Sequence, residues 1–134
     1  MTSNEIENFI GSFKMKKILI VDDEPSIVRL LSLRLKHNNY NVLEADNGLN
    51  CLKVANKCKP DLILMDIKMP VCDGIKAFGM LKESDDTNGI PVLFMTAFPT
   101  PEYVKKVYRM GAKGCISKPF ISSDFEQEIQ NALA

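Results

Sequence analysis

Residues 18–23 of this chain read ILIVDD, four apolar residues followed by two acids. A short apolar run that ends in polar residues is typical of a strand buried on both faces of a sheet. Similar runs occur at 62–66 (LILMD), 92–96 (VLFMT) and 115–118 (CISK). Each run ends at or just before a carboxylate, a hydroxyl or an amine that could take part in a reaction. The runs therefore predict a functional site as well as a sheet.

Helical patterns of about ten residues separate the runs, and this alternation predicts an α/β fold with a parallel sheet. The predicted strands cover about 17–22, 41–45, 61–66, 91–95 and 113–117. The predicted helices cover about 25–37, 48–58, 75–83, 101–110 and 122–133. Ligands of such sheets bind beyond the carboxyl ends of the strands. We therefore expect one cleft to gather the polar strand ends, namely Asp22, Asp23, Asp66, Thr96 and Lys118.

Length and composition indicate one domain. The chain has 134 residues, 46% of them hydrophobic, which is enough for one core. Its 17 basic and 17 acidic residues balance, so no basic field favours direct binding of nucleic acid. The apolar runs are too short to cross a membrane, and residues 1–5 lack the features of a secretion signal, so we expect a cytoplasmic protein without membrane contact. Residues 1–14 are predicted to be a flexible arm and residues 15–134 the folded domain.

The four cysteines, at 51, 58, 72 and 115, fit neither a zinc pattern nor a disulfide scaffold. We expect reduced thiols. Cys72 lies in the loop after Asp66, where we expect it to be exposed and open to oxidation.

The acids suggest a metal and a nucleophile. Asp22 and Asp23 facing Asp66 concentrate negative charge that a hard cation would neutralise, and oxygen ligands favour Mg²⁺. Asp66 is then a candidate nucleophile toward phosphorus. Lys118 and the hydroxyl of Thr96 would stabilise the phosphoryl oxygens. Each residue alone has a simpler interpretation: a solvated acid, a helix cap at Thr96, or a surface lysine. Their joint placement favours a site.

These motifs, in this order, resemble the receiver domain of bacterial two-component response regulators. The resemblance covers about residues 15–134, and it rests on VDDEP at 21–25, MDIKMP at 65–70 with DG at 73–74, TA at 96–97 and KPF at 118–120. It implies a doubly wound, flavodoxin-like (βα)5 fold with strand order 2-1-3-4-5.

The resemblance also implies roles. Asp66 would accept a phosphoryl group from a histidine of a sensor kinase or a histidine phosphotransfer protein, and the signal would pass to a downstream protein or a fused output domain. Mg²⁺ would be held by Asp22, Asp23, Asp66 and the main-chain carbonyl of Lys68. Thr96 would be the switch residue and Lys118 would pair with the phosphoryl group. Such a domain catalyses its own phosphorylation and slow dephosphorylation only and is not otherwise an enzyme.

The first predicted helix carries more apolar residues than its core stripe needs. Val28, Leu31 and Leu35 form the stripe, whereas Ile27 and Leu30 lie beside it. These two residues either widen the buried face or form a docking surface. The resemblance favours docking of the phosphodonor there, together with Pro119 and Phe120.

Two positions depart from the common pattern. Receivers usually carry Tyr or Phe where this chain has Cys115, and that ring turns inward when the threonine moves. We therefore expect a smaller or different response on the face made by the fourth helix, the fifth strand and the fifth helix, unless Phe98 or Tyr103 substitutes. The second position is Lys68, which we predict shields the acyl phosphate from water and lengthens its lifetime.

Three other functions are open to test. A Mg²⁺-dependent phosphatase usually has a second Asp two residues after the nucleophile, but Lys68 stands there. A flavin module would need a phosphate loop after the first strand, but residues 22–24 are acidic. A degenerate receiver would act as a phosphorylation-independent interaction module.

Overall fold

The computed structural model describes residues 1–6, 15–118 and 124–134. Strands and helices alternate along it, with bounds β1 (Lys17–Val21), α1 (Pro25–His37), β2 (Asn41–Ala45), α2 (Gly48–Cys58), β3 (Leu62–Asp66), α3 (Gly74–Glu83), β4 (Val92–Thr96), α4 (Pro101–Arg109), β5 (Gly114–Ser117) and α5 (Asp124–Leu133). The predicted bounds agree to within about two residues. The predicted start of α5 at 122 and the predicted arm at 7–14 lie outside the described residues. Before them, residues 3–6 form one helical turn.

The strands form one parallel sheet in the order β2-β1-β3-β4-β5. In its centre, Ile20 of β1 lies opposite Leu64 of β3, and Leu64 lies opposite Leu93 of β4. The predicted doubly wound α/β fold and its strand order are therefore confirmed. Parallel pairing sends all carboxyl ends to one edge of the sheet, which is where the polar strand ends meet.

Successive residues of each central strand point to opposite faces of the sheet and enter two separate cores. On one face, Ile18 and Ile20 pack with Leu31 of α1 and Phe125 of α5. On the other face lie α2, α3 and α4, and the buried residues there include Leu19, Val21, Ile63, Met65, Ala55, Phe78, Phe94 and Val107. Burial on both faces explains why the strands read as unbroken apolar runs.

The expectation that Cys72 is exposed is wrong, since only 3% of the residue is accessible. Val71 adopts a left-handed φ of 69°, and the Cys72 amide donates to the Pro70 carbonyl across it at 2.7 Å, so the loop turns inward. The Cys72 carbonyl in turn accepts a hydrogen bond from the Gly48 amide at 3.0 Å. Burial, followed by the neighbouring Cys72, raises the pKa of Cys51 to about 12. That thiol is therefore poorly reactive.

Among the helices of the described residues, none has the length and apolar character needed to cross a bilayer.

Candidate functional site

Three carboxylates meet at the carboxyl edge of the sheet. Ligand atoms of Asp22, Asp23 and Asp66 all lie within 4.8 Å of one another. The cause is the strand pairing: Val21 of β1 lies opposite Met65 of β3, so the residues that follow come together. Asp22 and Asp66 are buried and Asp23 is exposed. The structure thus brings together acids that are more than 40 positions apart in the sequence.

Among the described residues, Lys118 is the only one whose ammonium group forms ion pairs with these acids. Its Nζ lies 2.7 Å from Asp22 Oδ2 and 3.3 Å from Asp66 Oδ2, with Glu24 Oε1 at 3.8 Å. Only 9% of the Lys118 side chain is accessible. Asp22 is held from a second side, because its Oδ1 accepts a hydrogen bond from the Glu24 amide at 3.0 Å.

The charges shift the titration of both central groups. Burial, and then the nearby charge of Asp22, raises the pKa of Asp66 from 3.8 to about 6, although Lys118 acts in the opposite direction. Burial alone would lower the pKa of Lys118, but its hydrogen bond and charge interaction with Asp22, aided by Asp66, raise that pKa above its usual range. Lys118 is therefore a permanent cation, and Asp66 is an unusually basic carboxylate.

Gly74 contacts the main chain of the nucleophile candidate. A Cβ at this position would lie 2.1 Å from the Asp66 carbonyl oxygen, so no other residue fits without moving the backbone. The Gly74 amide donates to the Ile67 carbonyl at 2.8 Å, and Asp73 caps α3 by accepting from the Lys76 amide at 2.8 Å. Asp73 and Gly74 were identified from the sequence only as part of a motif, and the steric role of Gly74 was not predicted.

Thr96 ends β4 and is 5% accessible. Its hydroxyl oxygen accepts a hydrogen bond from the Phe98 amide at 3.0 Å. Its carbonyl accepts from the Lys118 amide at 2.9 Å, which ties the ends of β4 and β5 together. The simpler interpretation of Thr96 as the cap of α4 is wrong, because Thr100 caps that helix by accepting from the Tyr103 amide.

The residues present fit a hard divalent cation. The three carboxylates outnumber the single buried ammonium, and burial, followed by the charge of Asp22, raises the pKa of Asp66. Within the described ranges, no hydrogen bond is made to the carbonyl oxygen of Lys68, which leaves its lone pairs for another partner. Oxygen donors of this kind are typical of Mg²⁺ sites.

The side chain of Lys68 turns toward aromatic rings. Its Nζ lies 5.6 Å from the centre of the Phe98 ring and 5.9 Å from that of Tyr103. No ion pair of the described chain joins it to Asp66. The predicted shielding of an acyl phosphate by Lys68 stays a prediction.

The two predicted docking residues of α1 differ in exposure. Leu30 is 53% accessible, whereas Ile27 is half-buried against the core of the α1 side. Ile27 thus contributes to the buried face, and the docking role of Ile27 and Leu30 stays a prediction. Leu33, 65% accessible on the same helix, was not predicted. The other two docking candidates, Pro119 and Phe120, lie outside the described residues.

Comparison with known proteins matches residues 18–130 to the family described as response regulator receiver domain. The polar-differentiation response regulator DivK of Brucella anthropi is 32% identical over 118 residues, which are 88% of this chain and 96% of DivK. A histidine kinase of Formosa agariphila is 35% identical over 133 residues, which are 99% of this chain and only 10% of the kinase. The solved chemotaxis response regulator CheY4 of Vibrio cholerae is 31% identical, with a TM-score of 0.83 over 90% of this chain and all of CheY4.

Proposed function

Since this chain belongs to the response regulator receiver domain family of two-component signalling, we propose that it accepts a phosphoryl group on Asp66 from a histidine of a sensor kinase or phosphotransfer protein. The observation that carries the proposal is the buried Asp66 carboxylate, with Lys118 Nζ at 3.3 Å and two more acids beside it.

Asp66 is the nucleophile of the proposed transfer. One of its carboxylate oxygens forms a bond to phosphorus while the bond between phosphorus and the donor nitrogen breaks, and that nitrogen keeps the electron pair. With a pKa of about 6, Asp66 is mostly ionised at neutral pH and is more basic than an ordinary aspartate. Burial therefore strengthens the nucleophile without removing its charge.

Lys118 and Thr96 would hold the transferred group. The ammonium of Lys118 is within reach of Asp66 Oδ2 and donates to a phosphoryl oxygen placed there. The Thr96 hydroxyl, whose oxygen accepts a hydrogen bond from the Phe98 amide, would move toward the same group and donate to it. Lys118 is held in place before the transfer by its contacts with Asp22 and Asp66, whereas Thr96 moves toward the group.

Asp22, Asp23, Asp66 and the main-chain carbonyl of Lys68 would hold Mg²⁺, as the fit of the donor set supports. When bound, Mg²⁺ supplies positive charge that balances the phosphoryl oxygens. Between transfers, Lys118 neutralises part of the acid cluster through Asp22 at 2.7 Å.

The proposed output is a phosphorylation-dependent change in binding to a downstream protein or a fused output domain. The relatives include both DivK, which this chain spans almost entirely, and a kinase of which it spans a tenth. We propose that the phosphodonor contacts Ile27, Leu30, Pro119 and Phe120, of which Leu30 is the more exposed of the two residues on α1. The cytoplasmic location stays a prediction.

The test is phosphorylation by a small donor. The chain is incubated with Mg²⁺ and acetyl phosphate or phosphoramidate, and the intact masses of wild type, Asp66→Asn and Asp85→Asn are compared. Asp85 is exposed and lies outside the site, so it serves as the matched control. We expect one phosphoryl adduct on wild type and Asp85→Asn and none on Asp66→Asn. A folded wild type without an adduct would favour the degenerate interaction module instead.

A further inference from the structure

Three side chains form a contact that joins two loops of the site, and we call them the aromatic clasp: Lys68, Phe98 and Tyr103. The Lys68 ammonium lies 5.6 Å from the Phe98 ring centre and 5.9 Å from the Tyr103 ring centre. Lys68 lies two residues after Asp66 in the β3–α3 loop. Phe98 lies two residues after Thr96 in the β4–α4 loop, and Tyr103 is in the first turns of α4. The clasp therefore spans the loops of the phosphoacceptor and of the switch threonine.

The position of Phe98 is unusual for an apolar ring. It is 65% accessible, although a phenylalanine gains free energy by burial. The ring face is negatively polarised and attracts an ammonium within about 6 Å, so Lys68 gives this exposed ring a specific partner.

The clasp is directly connected to the switch residue. The Phe98 amide donates to the Thr96 hydroxyl oxygen at 3.0 Å, so the residue that holds the cation also holds Thr96. Movement of Thr96 toward a phosphoryl group on Asp66 either stretches this bond or carries the Phe98 amide along with the hydroxyl. Movement of the threonine and movement of the Phe98 ring are therefore coupled through one peptide group.

We propose that Lys68 is a positioning residue that keeps the β4–α4 loop in its unphosphorylated arrangement, and that a phosphoryl group on Asp66 opens the clasp by attracting the ammonium away from the rings. The proposal rests on the function proposed above. It gives a physical route from Asp66 to α4 in a chain whose half-buried Cys115 offers no ring to turn inward.

The first test needs no phosphorylation. Amide NMR shifts of residues 97–104 are compared for wild type, Lys68→Met, Phe98→Leu and the double variant. Both substituted residues are exposed and lie in loops, so the variants should fold. We expect both single variants to shift these amides in the same direction and the double variant to add little.

Lys68→Arg and Phe98→Trp keep a cation and a ring, and we expect them to stay close to wild type. Lys82→Met, which removes a cation 5.2 Å from the Phe78 ring in α3, is the matched control and should leave 97–104 unchanged. Additive shifts, or shifts confined to the substituted residue, would overturn the clasp.

The second test measures the rate of phosphorylation by acetyl phosphate. Phe98→Leu removes the contact that holds both the loop and the Lys68 cation. We therefore expect phosphorylation about two- to fivefold faster than in wild type, which corresponds to the ~0.5–1 kcal/mol of an exposed cation–π contact. Lys82→Met should match wild type. A Phe98→Leu rate equal to or below wild type would overturn the release step. If wild type takes no phosphoryl group while the amide shifts remain coupled, the proposed function and the release step fail but the clasp stands.

Discussion

At the scale of single residues, Asp66 is placed where its charge is costly. It is 6% accessible and faces Asp22, and one ammonium serves both carboxylates. A buried charge that is only partly compensated does not favour folding. The same crowding gives the carboxylate its raised pKa of about 6 and an affinity for any cation or electrophile that relieves the repulsion.

Replacement of Asp66 by Asn is therefore expected to stabilise the metal-free protein at neutral pH. The folded pKa lies above the unfolded value of 3.8, so the native state binds the proton more tightly. The stability that Asp66 contributes is complete below about pH 4 and is lost as the pH rises through about 6. After allowance for solvent screening, we expect Asp66→Asn to gain about 1 kcal/mol at pH 7.5, or about 3–5 °C in Tm.

Thermal melts at pH 7.5, 6 and 4.5 check this expectation. The gain should shrink as the pH falls, because wild type then protonates Asp66 and removes both the cost of a buried charge and the repulsion from Asp22. Asp85→Asn, with an exposed acid, should show little change at any pH. If Asp66→Asn raised the Tm by the same amount at every pH, the charge of Asp66 would not be the cause of the gain in stability.

The site residues could be identified from the sequence because each ends a strand or closely follows one, and parallel strands have their carboxyl ends at the same edge of the sheet. The contacts that these side chains make could not be predicted from the sequence. The pairing of Lys118 with Asp22 depends on which rotamer satisfies a buried ammonium, and the contact of Lys68 with two rings depends on loop geometry. The wrong expectation for Cys72 has a similar cause, since a left-handed Val71 turns that loop inward.

At the scale of elements, the start of α3 is fixed by the contact between Gly74 and the last residue of β3. We expect Gly74→Ala to cost about 3 kcal/mol or more in the free energy of unfolding, because its Cβ would meet a backbone oxygen that no rotamer change can move. Phosphorylation should slow as well, since the displaced atom belongs to Asp66.

Gly79→Ala, in the same helix, is the matched control. Its Cβ would meet only a methionine methyl at 3.9 Å, so the better helix propensity of alanine should stabilise the protein by about 0.5–1 kcal/mol. Urea denaturation of both variants measures the difference. A gain in stability for Gly74→Ala equal to that for Gly79→Ala would contradict the steric role of Gly74.

Helix and strand positions were predictable because the central strands are apolar throughout and helical patterns separate them. The structure adds caps that were not predicted from the sequence. Asn47, Asp73 and Thr100 each accept a hydrogen bond from the helix that they cap. The order of the strands in the sheet was less accessible, since an alternating pattern gives no order by itself. It came from the resemblance.

At the scale of the whole molecule, we expect Cys115 to limit how far a change at Asp66 spreads. The residue lies on the edge strand β5 opposite Phe94 of β4, and it is only half-buried. We expect Cys115→Tyr to enlarge the amide shifts of α4, β5 and α5 that follow phosphorylation. A tyrosine ring can turn from an outward to an inward position, whereas a thiol is too small to make such a change. NMR spectra before and after treatment with phosphoramidate measure these shifts.

Cys115→Ser is the control of matched size, and its shifts should stay as small as those of wild type. If Cys115→Tyr and Cys115→Ser respond alike, the ring at this position is not what carries the change in this protein. The aromatic clasp would then be the stronger candidate for that route.

The separation of the core into two faces also bears on how the protein is made. The face lined by Leu93 and Met95 of β4 is covered by α1 and α5, and α5 contributes Phe125, Ile129 and Ala132. A ribosome synthesises α5 after every strand of the sheet, so this face of the nascent chain stays partly open until residues 124–133 emerge. During that interval the sheet presents apolar strands to chaperones or to other nascent chains, whereas the face of α2, α3 and α4 can already close.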